Sequence, residues 1–273
     1  MIYDSDDIRF HRTCDGLCFA DEKPHNTKEM LEEKLQLAFR KSNNKILWTR
    51  IPKTATTSLA KFLGLTGWSH YSCKLAKQII GSDEYEKAYK FTFLRNPFER
   101  LTSIYEFYRY HDHEDLRTGS ICIQDFQTWV LKGCPHNIMV NHPFESVEDL
   151  HGNKFLLQKS WLVDESGMIN QDFLGVVDNI DEHAKFLKQA LVGLGVVNNV
   201  QYTQSNIEGM PDSVPYVNIG SVAVDRNGKK EKVLKEPDLW RRYYENNEVF
   251  EAAKEILKPD ILLLNEAGYG ICV

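Results

Sequence analysis

The stretch Lys45–Leu63, KILWTRIPKTATTSLAKFL, decides the fold. Ile46, Leu47 and Trp48 make a short continuous apolar run, the pattern of a buried strand. Pro52 opens a turn, and Leu59, Phe62 and Leu63 then recur at helical spacing. A second stretch, Tyr89–Tyr108 (YKFTFLRNPFERLTSIYEFY), repeats the pattern of a strand running straight into a helix. Its strand, Tyr89 to Leu94, alternates Phe91 and Phe93 with polar residues. Its helix has Asn96 as N-cap, Pro97 at the first position and Glu99 at the third. Leu101, Ile104, Tyr105 and Tyr108 follow as an apolar stripe of helical period.

Working outward, a third strand-to-helix unit spans Phe173 to Val177 and Asp181 to Leu194, stopped by Gly195. Its expected inward face is His183, Phe186, Leu187, Ala190, Leu191 and Leu194. A last helical region is predicted over Pro237 to Leu257, carrying Leu239, Trp240, Tyr243, Tyr244, Phe250 and Ala253; the closing KPDILLLNEAGYGICV reads as a strand or buried segment. Gly64–Lys87, Arg109–Asn153 and Ser205–Lys232 read as variable or loop-rich. Strands alternating with helices predict an α/β fold: a central, mostly parallel sheet flanked by helices on both faces. The expected organisation is a polar lead-in, residues 1–44, with one helix (Thr27–Lys41; apolar Met30, Leu31, Leu35, Leu37, Phe39), then a single domain over 45–273.

Composition narrows the function classes. The 273 residues carry 42% hydrophobic and 11% aromatic side chains, ordinary for a globular enzyme. A net charge of −6 argues against a nucleic-acid polymer or an anionic membrane as partner. No apolar run approaches the roughly 20 residues that span a bilayer. The first residues, MIYDSDDIRFHRTC, are acidic, and the six cysteines are scattered, so the expectation is a cytoplasmic protein with free thiols.

Both turns place hydroxyls and one permanent cation where a strand gives way to a helix N-terminus. Unpaired backbone N–H groups and the helix dipole bind phosphate at such a position. In the first turn Lys53 reaches the phosphate while Thr54, Ala55, Thr56, Thr57 and Ser58 surround it with amides and hydroxyls. In the second, Arg95 offers a rigid fork and Ser103 one donor. Two such turns suit a nucleotide with two separate phosphate groups. The first resembles a P-loop but lacks the closing Gly-Lys-Ser/Thr, and there is no evident second-strand aspartate for Mg²⁺. A Mg-ATP-dependent kinase or phosphotransferase is thereby disfavoured but stays open, as does a non-catalytic nucleotide binder.

These motifs resemble those of the PAPS-dependent sulfotransferases, and of the carbohydrate (heparan/chondroitin-type) branch more than the aryl enzymes. IPKTATTSL resembles that family's 5′-phosphosulfate loop. FLRNPFERLTSIY resembles its 3′-phosphate motif, in which a serine follows the arginine eight positions on, as Ser103 follows Arg95. Softer echoes are QKSWLVDESG, DFLGVVDNIDEHAKFL, YVNIG and YYENNEVFEAA, so the resemblance covers roughly Lys45 to Tyr269. It implies a P-loop-NTPase-like fold and in-line, metal-independent transfer of a sulfuryl group from 3′-phosphoadenosine 5′-phosphosulfate (PAPS), leaving the bisphosphate PAP. The acceptor would be a hydroxyl or amine of a small molecule or saccharide. Lys53 would place positive charge on the leaving oxygen, and His70, in the connection between the motifs, would take the acceptor proton. Ala55 stands where many members have glycine, which alanine replaces without strain if φ there stays below zero.

Other signals point less far. Arg100 is read as a cofactor contact, an exposed helix residue or half of an ion pair. Arg226, Lys229, Lys230 and Lys232 are candidates for a basic loop closing over the nucleotide. His11, Cys14, Cys18 and His25 lack the regular spacing of a zinc module, so no metal site is assigned. His111–Asp115 (HDHED) suits either an acceptor pocket or a solvated loop. Gln158 and Trp161 either face the acceptor or pack, with packing expected, and Tyr243 and Tyr244 are read as core rather than cofactor contacts.

Overall fold

The computed structural model describes residues 10–13, 16–19, 28–65, 67–68, 70–110, 125–134, 156–164, 167–197, 223–224, 230–231 and 239–270. In chain order the elements are β1 (Phe10–Thr13), β2 (Gly16–Phe19), α1 (Lys28–Lys41), β3 (Ile46–Thr49), α2 (Thr56–Leu63), α3 (Cys73–Ile80), α4 (Ser82–Lys87), β4 (Tyr89–Leu94), α5 (Pro97–Tyr110), α6 (Phe126–Leu131), α7 (Gln158–Leu162), β5 (Phe173–Val176), α8 (Ile180–Gly193), β6 (Ala223–Val224), β7 (Lys230–Glu231) and α9 (Asn247–Glu266). A 3-10 turn, Leu239–Tyr244, precedes α9. The chain forms two compact units: Met1–Ile2, Asn26–Arg95 and Gln158–Pro215 in the first, Tyr3–His25, Asn96–Leu157 and Tyr216–Val273 in the second.

The first unit is built on a parallel sheet of order β3-β4-β5. Ile46 pairs with Tyr89 and Thr49 with Thr92, while Phe91 pairs with Phe173 and Leu94 with Val176. Helices accompany the strands as expected of a parallel sheet: α2 packs with α8, α8 with β5, and α1 and α7 with α3. The alternation read into β4 is misleading, because Lys90 and Thr92 are as buried as Phe91 and Phe93. Their polar atoms are satisfied within the fold. Thr92 Oγ1 donates to the Thr49 carbonyl at 2.7 Å. Lys90 Nζ donates to the carbonyls of Tyr85, Glu86 and Ala88 at 3.1, 3.2 and 2.8 Å, closing the C-terminal end of α4 with a cation.

Aromatic packing fixes the sheet's interior. The rings of Trp48 and Phe91 stack at 5.5 Å, and Phe93 lies 5.8 Å from Phe173. Gly175, the register partner of Phe93, leaves that ring its space: a Cβ there would sit 2.6 Å from Phe93 Cε1. Two further sequence expectations fail in this unit, the inward faces of α1 and α8, and the stretch read only as variable is helical. The variable stretch 64–87 contains α3 and α4, started by the Ser72 hydroxyl, which accepts from the Leu75 amide, and separated by Gly81 at φ 89. On α1, Leu35, Ala38 and Phe39 are buried but Leu37 is 47% exposed. On α8 the inward set is Ala184, Leu187 and Leu191, and Phe186 is 61% exposed, stacked on Phe173 at the edge strand.

In the second unit, Asn96 caps α5 as expected, its Oδ1 accepting from the amides of Phe98 (3.0 Å) and Glu99 (3.4 Å). Leu101, Ile104 and Tyr105 face inward; the side chain of Tyr108 lies outside the described residues. Part of the stretch read as loop is helix α6, capped by Asp125, which packs on α9. The Tyr244 hydroxyl donates to the Phe98 carbonyl at 2.9 Å, and its ring meets Phe98 and Phe126 edge-on, so Tyr244 is core as expected. The expected final helix is divided: the 3-10 turn ends at Tyr244, and Asn246 restarts the chain as α9, accepting from the Glu248 amide. The segment read as a strand or buried segment holds the second half of α9, so the buried reading stands and the strand does not. Ala253, Leu257, Leu263 and Leu264 bury one face of it, a period the Ile-Leu-Leu-Leu run conceals in sequence. Among the described residues, no helix is long and apolar enough to cross a membrane.

Candidate functional site

In a parallel pair, neighbouring strands deliver their C-terminal ends to the same edge of the sheet, where ligands of open α/β sheets bind. The loop Arg50–Ala55 leaves β3 there, and Arg95 leaves β4 beside it. Lys53 of the first motif and Arg95 of the second therefore meet in the first unit. Arg95 is 2% exposed, and its Nη1 donates to the Lys53 carbonyl at 3.2 Å.

The loop's backbone is unusual for its residue types. Lys53 and Ala55 both lie in the left-handed region, at φ 67 and φ 56. The condition under which alanine would stand in for glycine without strain, φ below zero, is not met at Ala55. Ala55 is the N-cap of α2 and brings no capping side chain, so the first-turn amides of Thr56, Thr57 and Ser58 have neither a carbonyl within the helix nor a cap. Left-handed residues interleaved in a turn aim successive amides at one point and form an anion nest. Thr54 is fully buried, and its hydroxyl is committed inside the loop, donating to the Ile51 carbonyl at 2.9 Å. What Thr54 can offer a ligand is its amide. Thr56 is buried, whereas Thr57 and Ser58 are exposed with their hydroxyls at the mouth of the helix.

His70 is tied to the root of the same loop. Its Nδ1 lies 2.5 Å from the Arg50 carbonyl. A carbonyl can only accept, so Nδ1 carries the proton and the lone pair is on Nε2. Trp161 of α7 meets the imidazole edge-on at 6.5 Å. Arg50 holds the segment from the other side: its Nη1 donates to the Trp68 carbonyl, and its guanidinium lies 5.0 Å over the Trp48 ring. Burial lowers the Arg50 pKa to about 10, an effect the neighbouring Tyr71 phenol opposes, which leaves it a cation at neutral pH. Arg50 was not singled out in the sequence, although its place beside the loop was a signal available to be used.

A family model described as the sulfotransferase family matches residues 36–251, well over half of the chain. The chain belongs to the sulfotransferase family. No curated protein matches it, and no solved structure does. Sulfuryl transfer is thus the general chemistry, and the α/β architecture with its three-stranded parallel sheet agrees with it.

The remaining predicted residues of this sulfotransferase lie elsewhere. Ser103 belongs to the second unit, fully buried on α5. Arg100, on the same helix, is 1% exposed and donates to the Leu156 carbonyl, so the exposed reading of it is wrong. Of the basic set only Lys230 falls in a described element, β7. His111–Asp115, Cys14 and His25 lie outside the described residues, while His11 and Cys18 are register partners in the β1–β2 hairpin. Among the described residues no cluster of three or more His, Cys, Asp or Glu side chains could hold a metal ion. Cys73 and Cys134 are free and buried, and burial raises both thiol pKa values.

Proposed function

We propose that this sulfotransferase takes its sulfuryl group from PAPS and passes it to a hydroxyl or amine of a small-molecule or saccharide acceptor, releasing PAP. The observation that carries the reading is the Lys53–Ala55 loop: two left-handed residues leading into an uncapped helix, joined by a buried guanidinium. A nest of amides with one lysine and one buried arginine beside it suits a dianionic group at one end of a nucleotide and a second phosphate nearby. PAPS supplies a sulfuryl group already activated by its bond to a phosphate oxygen.

The residues then divide the work. The amides of Thr54 to Ser58 hold the 5′-phosphate, and Lys53 places its charge on the bridging oxygen that becomes the leaving group. Arg95 takes the 3′-phosphate, and Ser103 joins it on the strength of the sequence motif alone. The acceptor's lone pair forms the new bond to sulfur as the bond from sulfur to the bridging oxygen breaks. That bond's electron pair stays on PAP, and the acceptor proton passes to Nε2 of His70. The Arg50 carbonyl, by holding Nδ1–H, keeps the basic nitrogen directed away from the loop backbone.

Calorimetric titration with PAP, and in parallel with ATP plus Mg²⁺, tests the reading. Metal-independent binding of PAP with much weaker binding of ATP is expected. Preference for ATP and magnesium would overturn it and move the chain's nucleotide chemistry to phosphoryl transfer.

A further inference from the structure

We infer that Gln158 is a positioning residue of the donor site, acting through the main chain of Arg95; the inference rests on the reading of Arg95 as the ligand of the 3′-phosphate. The last ladder pair on one side of β4 is Thr92 with Thr49, and on the other Leu94 with Val176. Arg95 is the first residue past the last ladder pair of β4, and there Gln158 bonds both of its peptide groups. The Gln158 Oε1 accepts from the Arg95 amide at 2.9 Å, and its Nε2 donates to the Arg95 carbonyl at 2.8 Å. The side-chain amide thus acts as one peptide unit that continues the ladder past the end of β4, the central strand. Its orientation is unambiguous, because an N–H needs the oxygen and a C=O needs the nitrogen.

The consequence is directional. Gln158 is fully buried, as is nearly all of Arg95, so both bonds are made away from water and losing either leaves a buried polar group without its partner. Holding N–H and C=O of one residue fixes its φ and ψ together, and with them the Cα–Cβ bond from which the side chain reaches the Lys53 carbonyl. A side chain 63 residues away in sequence therefore sets where the charge of Arg95 stands relative to the phosphate loop. No other common side chain can do this from the same Cα. Asn is one carbon shorter, Met fills the volume without polar atoms, and an ionised Glu can accept from the amide but not donate to the carbonyl.

The test compares the affinity of PAP with that of adenosine 5′-monophosphate, which lacks the 3′-phosphate, in the full chain. Wild type, Gln158→Met, Gln158→Glu, Arg95→Ala and the Gln158→Met/Arg95→Ala double variant are titrated. Gln158→Met should weaken PAP about tenfold more than the monophosphate, the worth of two hydrogen bonds; some loss of the monophosphate is expected too, because Arg95 also touches the phosphate loop at the Lys53 carbonyl. The double variant should lose no more preference than Arg95→Ala alone. Gln158→Glu should show an intermediate loss that shrinks as pH falls and the carboxyl regains a donor proton. A Gln158→Met protein that keeps full PAP preference while Arg95→Ala loses it overturns the inference, as does equal weakening of both nucleotides. Should Arg95→Ala itself leave the preference intact, or the wild type show none, the reading of Arg95 fails, and the inference with it. Gln158→Glu, the closer isostere, carries the comparison if Gln158→Met does not fold.

Discussion

Replacing Ala55 by glycine should stabilise the protein, which is the opposite of what the same change does in an ordinary helix. At φ 56 and ψ 22 the alanine Cβ crowds the following carbonyl, an arrangement that costs an L-residue about 1–2 kcal/mol. Removing the Cβ relieves that cost but gives the unfolded chain more freedom, which takes back about 0.4–1 kcal/mol. The net expectation is a gain of about 0.5–1 kcal/mol, in the same direction as the preference of N-caps for glycine over alanine. Ala60, on the same helix in ordinary helical conformation, is the internal control: Ala60→Gly should lose about 1 kcal/mol. Gly64, at φ 69 with open space where a Cβ would go, completes the set, and Gly64→Ala should lose about 1 kcal/mol through backbone strain alone. Urea unfolding followed by both fluorescence and circular dichroism measures all three and exposes any stepwise unfolding. A loss in Ala55→Gly equal to that in Ala60→Gly would refute the left-handed cap, and with it the amide nest built on it.

Lys53→Ala should cut turnover far more than PAP affinity, and Arg95→Ala should mainly weaken PAP binding; equal losses of both properties in the two variants would contradict the division of roles. His70→Ala should abolish turnover while PAP affinity stays within a few-fold, since its hydrogen bond runs to the root of the loop rather than to the nest; full activity would remove it as the base. Gly175→Ala should destabilise by about 1–3 kcal/mol, because the new methyl meets a Phe93 ring that is 1% exposed, and unfolding of Gly175→Ala with and without Phe93→Leu should show the partial rescue. Asp125 accepts from the Thr128 amide and hydroxyl, both at 2.8 Å, which hold its folded pKa below the ordinary 3.8. Its ionised form therefore stabilises the folded chain above that value and the benefit is lost as pH falls through the depressed pKa. Asp125→Ala should cost about 1 kcal/mol at neutral pH, a difference from wild type that closes in acid urea titrations.

What the sequence discloses about this chain is what local rules govern. β4 and the Asn96 cap were readable to the residue because apolar burial, capping and the proline at N1 act over a few neighbours. The faces of α1 and α8 were misjudged at Leu37 and Phe186, since an apolar residue one step off the stripe is told from a core residue only by what packs against the helix. The final run of leucines gave no period because three apolar neighbours in a row satisfy strand and helix alike. Residue types singled out Lys53 and Arg95, which the fold brings into contact, but not the left-handed backbone of the loop between β3 and α2. Glycine would have advertised that conformation, and Lys53 and Ala55 conceal it, held there in part by the Arg95 bond to the Lys53 carbonyl. The bond of Gln158 to Arg95 was hidden for a related reason, although the sequence offers the residue as acceptor-facing or packed. Its partner is a backbone amide and carbonyl 63 positions away, and backbone groups carry no sequence identity to pair with. The chemistry-bearing side chains are legible because their charge and hydroxyls are unusual in kind. The residues that aim them are ordinary in kind and become significant only through position, so they emerge only once the parallel ends of β3 and β4 have been set side by side.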